Sequence, residues 1–208
     1  MKIRNLITLF ITLVILVCVW STASKVWPGP PTYPNHVHKT LYVDRYLNSD
    51  QFNMIAYAAV RWSFATNHII DYDVVKMPIF DHKEIADSDH SIVIVLVSPE
   101  SPDVIQTDTL NNDTTLALYK DSCTSIPVIE IVVERIDDDQ MFEQVMMHEM
   151  GHSIGLHHNE TDDGIGTMMY PDAYLGSKYL TQIDIENFCK LYHCNANDLH
   201  HEEESFHF

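Results

Sequence analysis

The stretch His148-Glu149-Met150-Gly151-His152-Ser153-Ile154-Gly155-Leu156-His157-His158, followed downstream by Met168-Met169-Tyr170-Pro171, decides how the rest of the chain is read. Residues four apart share one face of a helix, so His148 and His152 present two imidazoles to a single ion at about 2.0–2.1 Å, the range for zinc. Gly155 is suited to the left-handed conformation that ends a helix, which turns the chain and brings His158 in as a third ligand. A fourth coordination position is then open to water, and Glu149 lies beside it as a proton acceptor. The competing interpretation makes the histidines ordinary helix-surface residues and Met169 a core filler, and it leaves the spacing unexplained.

Length and composition set the frame for that stretch. The chain has 208 residues, 46% of them apolar, enough for one catalytic domain with a core of its own. A formal net charge of −18 excludes a non-specific nucleic-acid binder, because neutralising phosphates needs a basic surface. The acidity is compatible with cationic substrates or calcium, and its plainest meaning is a well-solvated surface. Nucleic acid is therefore not an expected partner and a monomer is the expected state; it is the zinc-site stretch, not the composition, that makes protein or peptide the expected partner.

At the N-terminus, Lys2 and Arg4 precede an apolar run from Leu6 to Trp20 interrupted only by Thr8 and Thr12. This is a targeting segment over residues 1–24, either a signal peptide cleaved after Ser21-Thr22-Ala23 or an anchor that keeps residues 6–20 in the membrane. Both outcomes export the remainder, giving a secreted or membrane-anchored, extracytoplasmic protein. An oxidising compartment permits a disulfide, and Cys123, Cys189 and Cys194 offer more than one pairing: Cys189 with Cys194, or Cys123 with either.

Residues 25–39 are proline-rich and lack any periodic apolar pattern, which predicts a linker or short pro-segment. From residue 40 to 195 the elements follow in order. Leu41-Tyr42-Val43 starts a strand, and Asn48 with Gln51 forms a capping box for a helix whose stripe is Phe52, Ile55, Ala56, Ala59 and Trp62. Ile69-Ile70 with Tyr72 to Val75, the β-branched run Ser91 to Val97, an edge segment Thr115 to Tyr119, and Pro127 to Val133 read as strands. Asp137 is expected to cap the helix that carries the histidines, with Met141, Phe142, Val145 and Met146 facing the sheet. Thr181 and Asp184 open a last helix, and residues 196–208 form a polar tail. Asn112-Asp113-Thr114 and Asn159-Glu160-Thr161 fit the N-glycosylation pattern.

The spacing H-E-x-x-H-x-x-G-x-x-H with a later methionine resembles the metzincin signature of zinc peptidases at every fixed residue. Within that group the chain is most similar to matrixin, or matrix metalloproteinase-like, catalytic domains over residues 40–193. Supporting matches are Ala59-Val60-Arg61-Trp62-Ser63, Asp89 to Val95, and Leu180-Thr181-Gln182-Ile183-Asp184-Ile185. The resemblance implies an α+β fold with a twisted mixed five-stranded sheet, two long helices, a zinc cleft and a small C-terminal subdomain with one helix. It implies a zinc metalloendopeptidase in which His148, His152 and His158 hold zinc and Glu149 acts as general base and acid on a zinc-activated water. A zinc-containing exported binding protein that no longer turns over substrate is the alternative. Met169, with Met168 as its neighbouring alternative, is the expected Met-turn residue beneath the metal, and Tyr170, Pro171 and Tyr174 the expected wall of the substrate pocket. The family's structural zinc and calcium (Ca2+) have no assignable ligands here, since His82, Asp87, Asp89 and His90 read as solvated loop residues. The P-R-C-G pattern of a cysteine-switch segment does not occur in the sequence, so latency by that route is not expected.

Overall fold

A computed structural model describes residues 36–77, 91–97, 114–122, 125–160 and 164–200, all within one compact body, Tyr33–Phe208. The N-terminal apolar run, the His82 to His90 group, Cys123 and residues 201–208 lie outside the described residues. Among the described residues no helix is long and apolar enough to cross a membrane.

Five strands form one sheet: β1 (Val37–Val43), β2 (Ile70–Lys76), β3 (Ser91–Leu96), β4 (Ala117–Ser122) and β5 (Ser125–Ile131). Their order is β2-β1-β3-β5-β4. The first three pairings are parallel, and β4 runs antiparallel to β5, so the sheet is mixed, as expected. Parallel interior strands are covered on both faces and therefore read as unbroken apolar runs, and β3 is buried from Ser91 through Val95. Ile92 and Ile94 face the main core, while Val93, Val95 and Val97 form a second cluster with Met77 and Val132. The strand expected over Thr115 to Tyr119 lies at the sheet edge and spans Ala117–Ser122.

Two long helices and one shorter helix complete the body: α1 (Ser49–Ala65), α2 (Asp139–Ser153) and α3 (Gln182–Tyr192). The capping box of α1 is formed at both bonds, Gln51 N–H to Asn48 Oδ1 and Asn48 N–H to Gln51 Oε1. Its fully buried face is Ile55, Ala58, Ala59, Trp62 and Ala65, with Phe52 and Ala56 only half-buried. The small alanines let α1 approach α2 closely, and the Trp62 indole N–H donates 3.0 Å to the Met147 carbonyl, tying the two helices at the level of the histidines.

Three boundaries differ from the sequence expectation. β1 begins at Val37 and runs through the end of the segment read as linker, because residues 37–43 find a parallel partner in residues 70–76. The cap of α2 is Asp138, whose carboxylate accepts from Met141 N–H at 2.7 Å, whereas Asp137 accepts from the Tyr174 hydroxyl. The start of the expected polar tail is packed, with Leu199 in the core and His200 N–H bonded to the Ala65 carbonyl at 3.1 Å. Of the open cysteine pairings, Cys189 with Cys194 is the one formed, across the end of α3.

Candidate metal centre and cleft

His148 and His152 project from the last turns of α2, and the helix stops directly after them. Gly155 has φ +92°, which an L side chain rarely adopts, and the chain reverses there with Leu156 N–H bonded back to Gly151 O at 3.0 Å. The Tyr192 hydroxyl of α3 donates 3.0 Å to the Ile154 carbonyl and fixes this turn from outside. His158 is thereby returned to the two helical histidines.

The three Nε2 atoms lie 3.1 Å from one another in every pairing. His148 Nδ1 lies 2.9 Å from the Met168 carbonyl and His152 Nδ1 lies 2.8 Å from the Leu156 carbonyl. A carbonyl only accepts, so both Nδ1 atoms carry the proton and both Nε2 atoms expose lone pairs to the same point. Bare lone pairs converging this way repel unless a cation sits between them. Tetrahedral zinc ligands at 2.0–2.1 Å are about 3.3–3.4 Å apart, so the donor set and its spacing fit zinc. Burial and the neighbouring imidazoles push the His148 ring down to about 4 and lower His152 as well, which keeps both neutral and able to ligate at neutral pH.

Glu149 is 6% exposed, and its Oε2 accepts 2.6 Å from the Tyr119 backbone N–H of β4. Burial raises its carboxyl to about 7, with the Tyr119 bond opposing part of that rise. Tyr119 N–H is available because β4 is an edge strand: in an antiparallel ladder alternate residues point their N–H groups away from the partner. Glu149 and the three histidines line one cleft of about 580 Å³ between β4 and the segment after Tyr170.

Each residue expected at the site is placed on this cleft or directly beneath it. Tyr170, Pro171 and Tyr174 line its far wall, with Tyr174 hydroxyl 2.9 Å from Asp137 Oδ2. Met168 also lines it, while Met169 packs below α2, where a Cβ on Gly151 would collide with the Met169 sulfur. Two residues with larger parts than their sequence positions suggested are Asp184 and Gln144. Asp184, 1% exposed, accepts from Met168 N–H at 3.0 Å and Met169 N–H at 3.2 Å, so it holds the turn whose carbonyl orients His148. Its capping position was visible in the sequence, but its reach to the methionines was not. Gln144, 5% exposed, lies one helical turn before His148 and donates 2.6 Å to the Ala173 carbonyl; its polarity on an otherwise apolar face was the available signal.

Three histidines that could hold a metal ion and a buried carboxyl, on a cleft beside the edge strand β4, are the arrangement expected of a metalloprotease. The model of the family described as Matrixin matches residues 53–193, and the chain belongs to that family. No curated protein sequence matches the chain. Among solved structures, the crystal structure of myroilysin is similar at 15% identity, covering 86% of this chain and 69% of that one with a TM-score of 0.30.

Proposed function

We propose that the protein is a zinc-dependent endopeptidase that cleaves extended segments of protein or peptide substrates. The observation that carries this reading is the convergence of the His148, His152 and His158 Nε2 atoms at 3.1 Å beside a buried Glu149. His148, His152 and His158 would hold the metal. When bound, zinc supplies a Lewis acid that polarises a carbonyl and acidifies water toward a pKa of about 7.

The chain's own groups do the rest. Glu149 takes the proton of the attacking water and passes it to the departing amine, and burial, which raises its affinity for a proton, favours its carrying that proton between the two. Tyr119 N–H holds Oε2, which fixes the carboxylate plane and leaves the other oxygen for the proton. The outward N–H and C=O groups of Ala117, two residues before Tyr119 in the alternation, are placed to pair with a substrate strand, and Tyr170, Pro171 and Tyr174 bound the opposite side. Met169, buried against Gly151 of α2, would support the histidine-bearing turn beneath the metal site without serving as a ligand. Export is part of the same proposal, supported by the basic-then-apolar N-terminus and by the Cys189–Cys194 disulfide, which an oxidising compartment permits.

The test is digestion of casein by the full-length, zinc-loaded protein with and without a chelator, beside the Glu149→Ala variant and a measurement of bound zinc. Cleavage should stop on chelation, and Glu149→Ala should retain zinc while losing about 10²–10⁴-fold in rate. Equal rates for variant and parent, or activity indifferent to chelation, sink the proposal. Stoichiometric zinc with no cleavage of any broad peptide library would leave a binding protein instead.

A further inference from the structure

Gln144 is an unusual occupant of its position. It faces the cleft one helical turn, about 5.4 Å, before His148, and it is 95% buried by virtue of being only 5% exposed. Its amide N–H donates to the Ala173 carbonyl at 2.6 Å, and Gly176 lets the chain pass so closely that a Cβ there would lie 3.2 Å from the same nitrogen. Because the Ala173 carbonyl only accepts, this bond fixes which end of the amide is NH2. Oε1 therefore points elsewhere, and among the described residues no donor meets it. A buried amide oxygen without a donor is rare in a folded protein, and at a cleft wall it marks a place for one that arrives with a ligand.

The surroundings restrict what that donor is. Val145, Met168, Pro171 and Ala173 give the nearby wall an apolar character suited to a methylene stem. Asp172 lines the same stretch, Asp137 holds the Tyr174 hydroxyl, and among the described residues no lysine or arginine lines the cleft. The nearby cations Arg61 and Lys178 are committed outside the cleft, Arg61 to Glu143 and the Lys178 carbonyl, and the Lys178 ammonium to Gln140.

We propose that Gln144 is a specificity-determining residue, and that the pocket beside the three histidines takes a long side chain ending in a cationic donor: lysine or arginine on a residue flanking the cleaved bond. The stem lies along the apolar wall, the head donates to Gln144 Oε1, and Asp172 favours its charge. This rests on the peptidase reading for its position beside the scissile bond, but the pocket itself stands on Gln144 and its neighbours.

The experiment uses the full-length, zinc-loaded protein and peptides identical except that either residue flanking the cleaved bond is lysine, arginine, glutamine, norleucine or leucine. At one of the two positions, kcat/KM for lysine or arginine should exceed that for norleucine by about tenfold or more, since an apolar chain leaves the buried oxygen unmatched. Gln144→Leu should bring that ratio to about one or reverse it. Asp172→Asn, which keeps an oxygen for the Tyr174 N–H, should lower the lysine-to-glutamine ratio and leave the glutamine-to-norleucine ratio in place. A parent enzyme that prefers norleucine or leucine at both positions overturns the assignment whatever the variants do. Fluorescence anisotropy of the same peptides on the Glu149→Ala protein separates the two proposals: absent cleavage by the zinc-loaded parent, with lysine or arginine peptides bound at least several-fold more tightly by the variant, removes the peptidase reading and keeps the pocket. Equal affinities, or no binding by any peptide of the set, overturn the pocket as well.

Discussion

The Asp184 carboxylate makes four bonds in a space it barely shares with solvent: to the N–H groups of Met168 and Met169, and to the N–H and hydroxyl of Thr181 at 2.8 and 2.7 Å. Removing it strands two buried backbone donors of the methionine turn and breaks the half of the α3 capping box that holds the Thr181 N–H, leaving Thr181 as the cap. Asp184→Ala is therefore expected to cost about 3–5 kcal/mol by urea unfolding, and Asp184→Asn less, because one carbonyl oxygen survives. Since the Met168 carbonyl orients His148, zinc affinity should fall about 10–100-fold in either variant that still folds. Unchanged affinity would show that the turn is not what holds His148. Gly151 gives a second expectation at this scale. A methyl group there meets the sulfur of Met169, which is 1% exposed, and lies 3.2 Å from the Trp62 ring, so Gly151→Ala should destabilise by about 1–3 kcal/mol. Combined with Met169→Ala, which vacates the same volume, the loss should be less than the sum of the two single changes. Strict additivity in that cycle would show that the two side chains do not compete for space.

Helix ends are where sequence and structure agree best and also where they part. Asn48 and Gln51 cap α1 through both bonds of the box, a local device written in residues three apart, and Asn48→Ala should lower stability by about 1 kcal/mol without altering zinc content. A loss of zinc in that variant would mean that α1 conveys strain to α2. The same locality made the Thr181–Asp184 box legible, and the His148 to His158 spacing with it, since a helix and one glycine turn suffice to bring three imidazoles together. Asp137, Asp138 and Asp139 form the contrary case. Three identical side chains in a row give no local ranking, and the choice of Asp138 as cap is linked to Tyr174, whose hydroxyl engages Asp137 from 37 residues away. β1 extends back to Val37 because of its partner strand, which a proline-rich composition does not announce. Tyr119 with Glu149 and Gln144 with Ala173 are likewise contacts between distant elements. Most strands, the helices and the spacing that brings the three histidines together were thus readable from local pattern, the mixed sheet was implied by the family resemblance, and the groups that orient the histidines were set by tertiary neighbours.

At the scale of the whole molecule, folding, protons and zinc compete for the same three nitrogens. The His148 ring is held down to about 4 by burial and by its neighbouring imidazoles, against about 6.5 for an unfolded chain. A folded state that binds the proton more weakly than the unfolded one loses stability as pH falls, and the loss begins near 6.5 and is complete near 4. For the chelated protein this one ring accounts for about 3 kcal/mol, and His152, lowered for the same reason, acts in the same direction. Zinc adds stability by mass action, about 4 kcal/mol at a thousand times its dissociation constant, provided that the ligating nitrogens are unprotonated. Acidification therefore weakens both forms, but it weakens the zinc-loaded form more, because that form also loses its ligand. Thermal unfolding followed from pH 8 to pH 4 should give two curves, with and without chelator, that are well separated at neutral pH and converge toward pH 4. Curves that stay parallel across this range would mean that zinc is held by groups other than His148, His152 and His158, since carboxylates would keep it through most of that window.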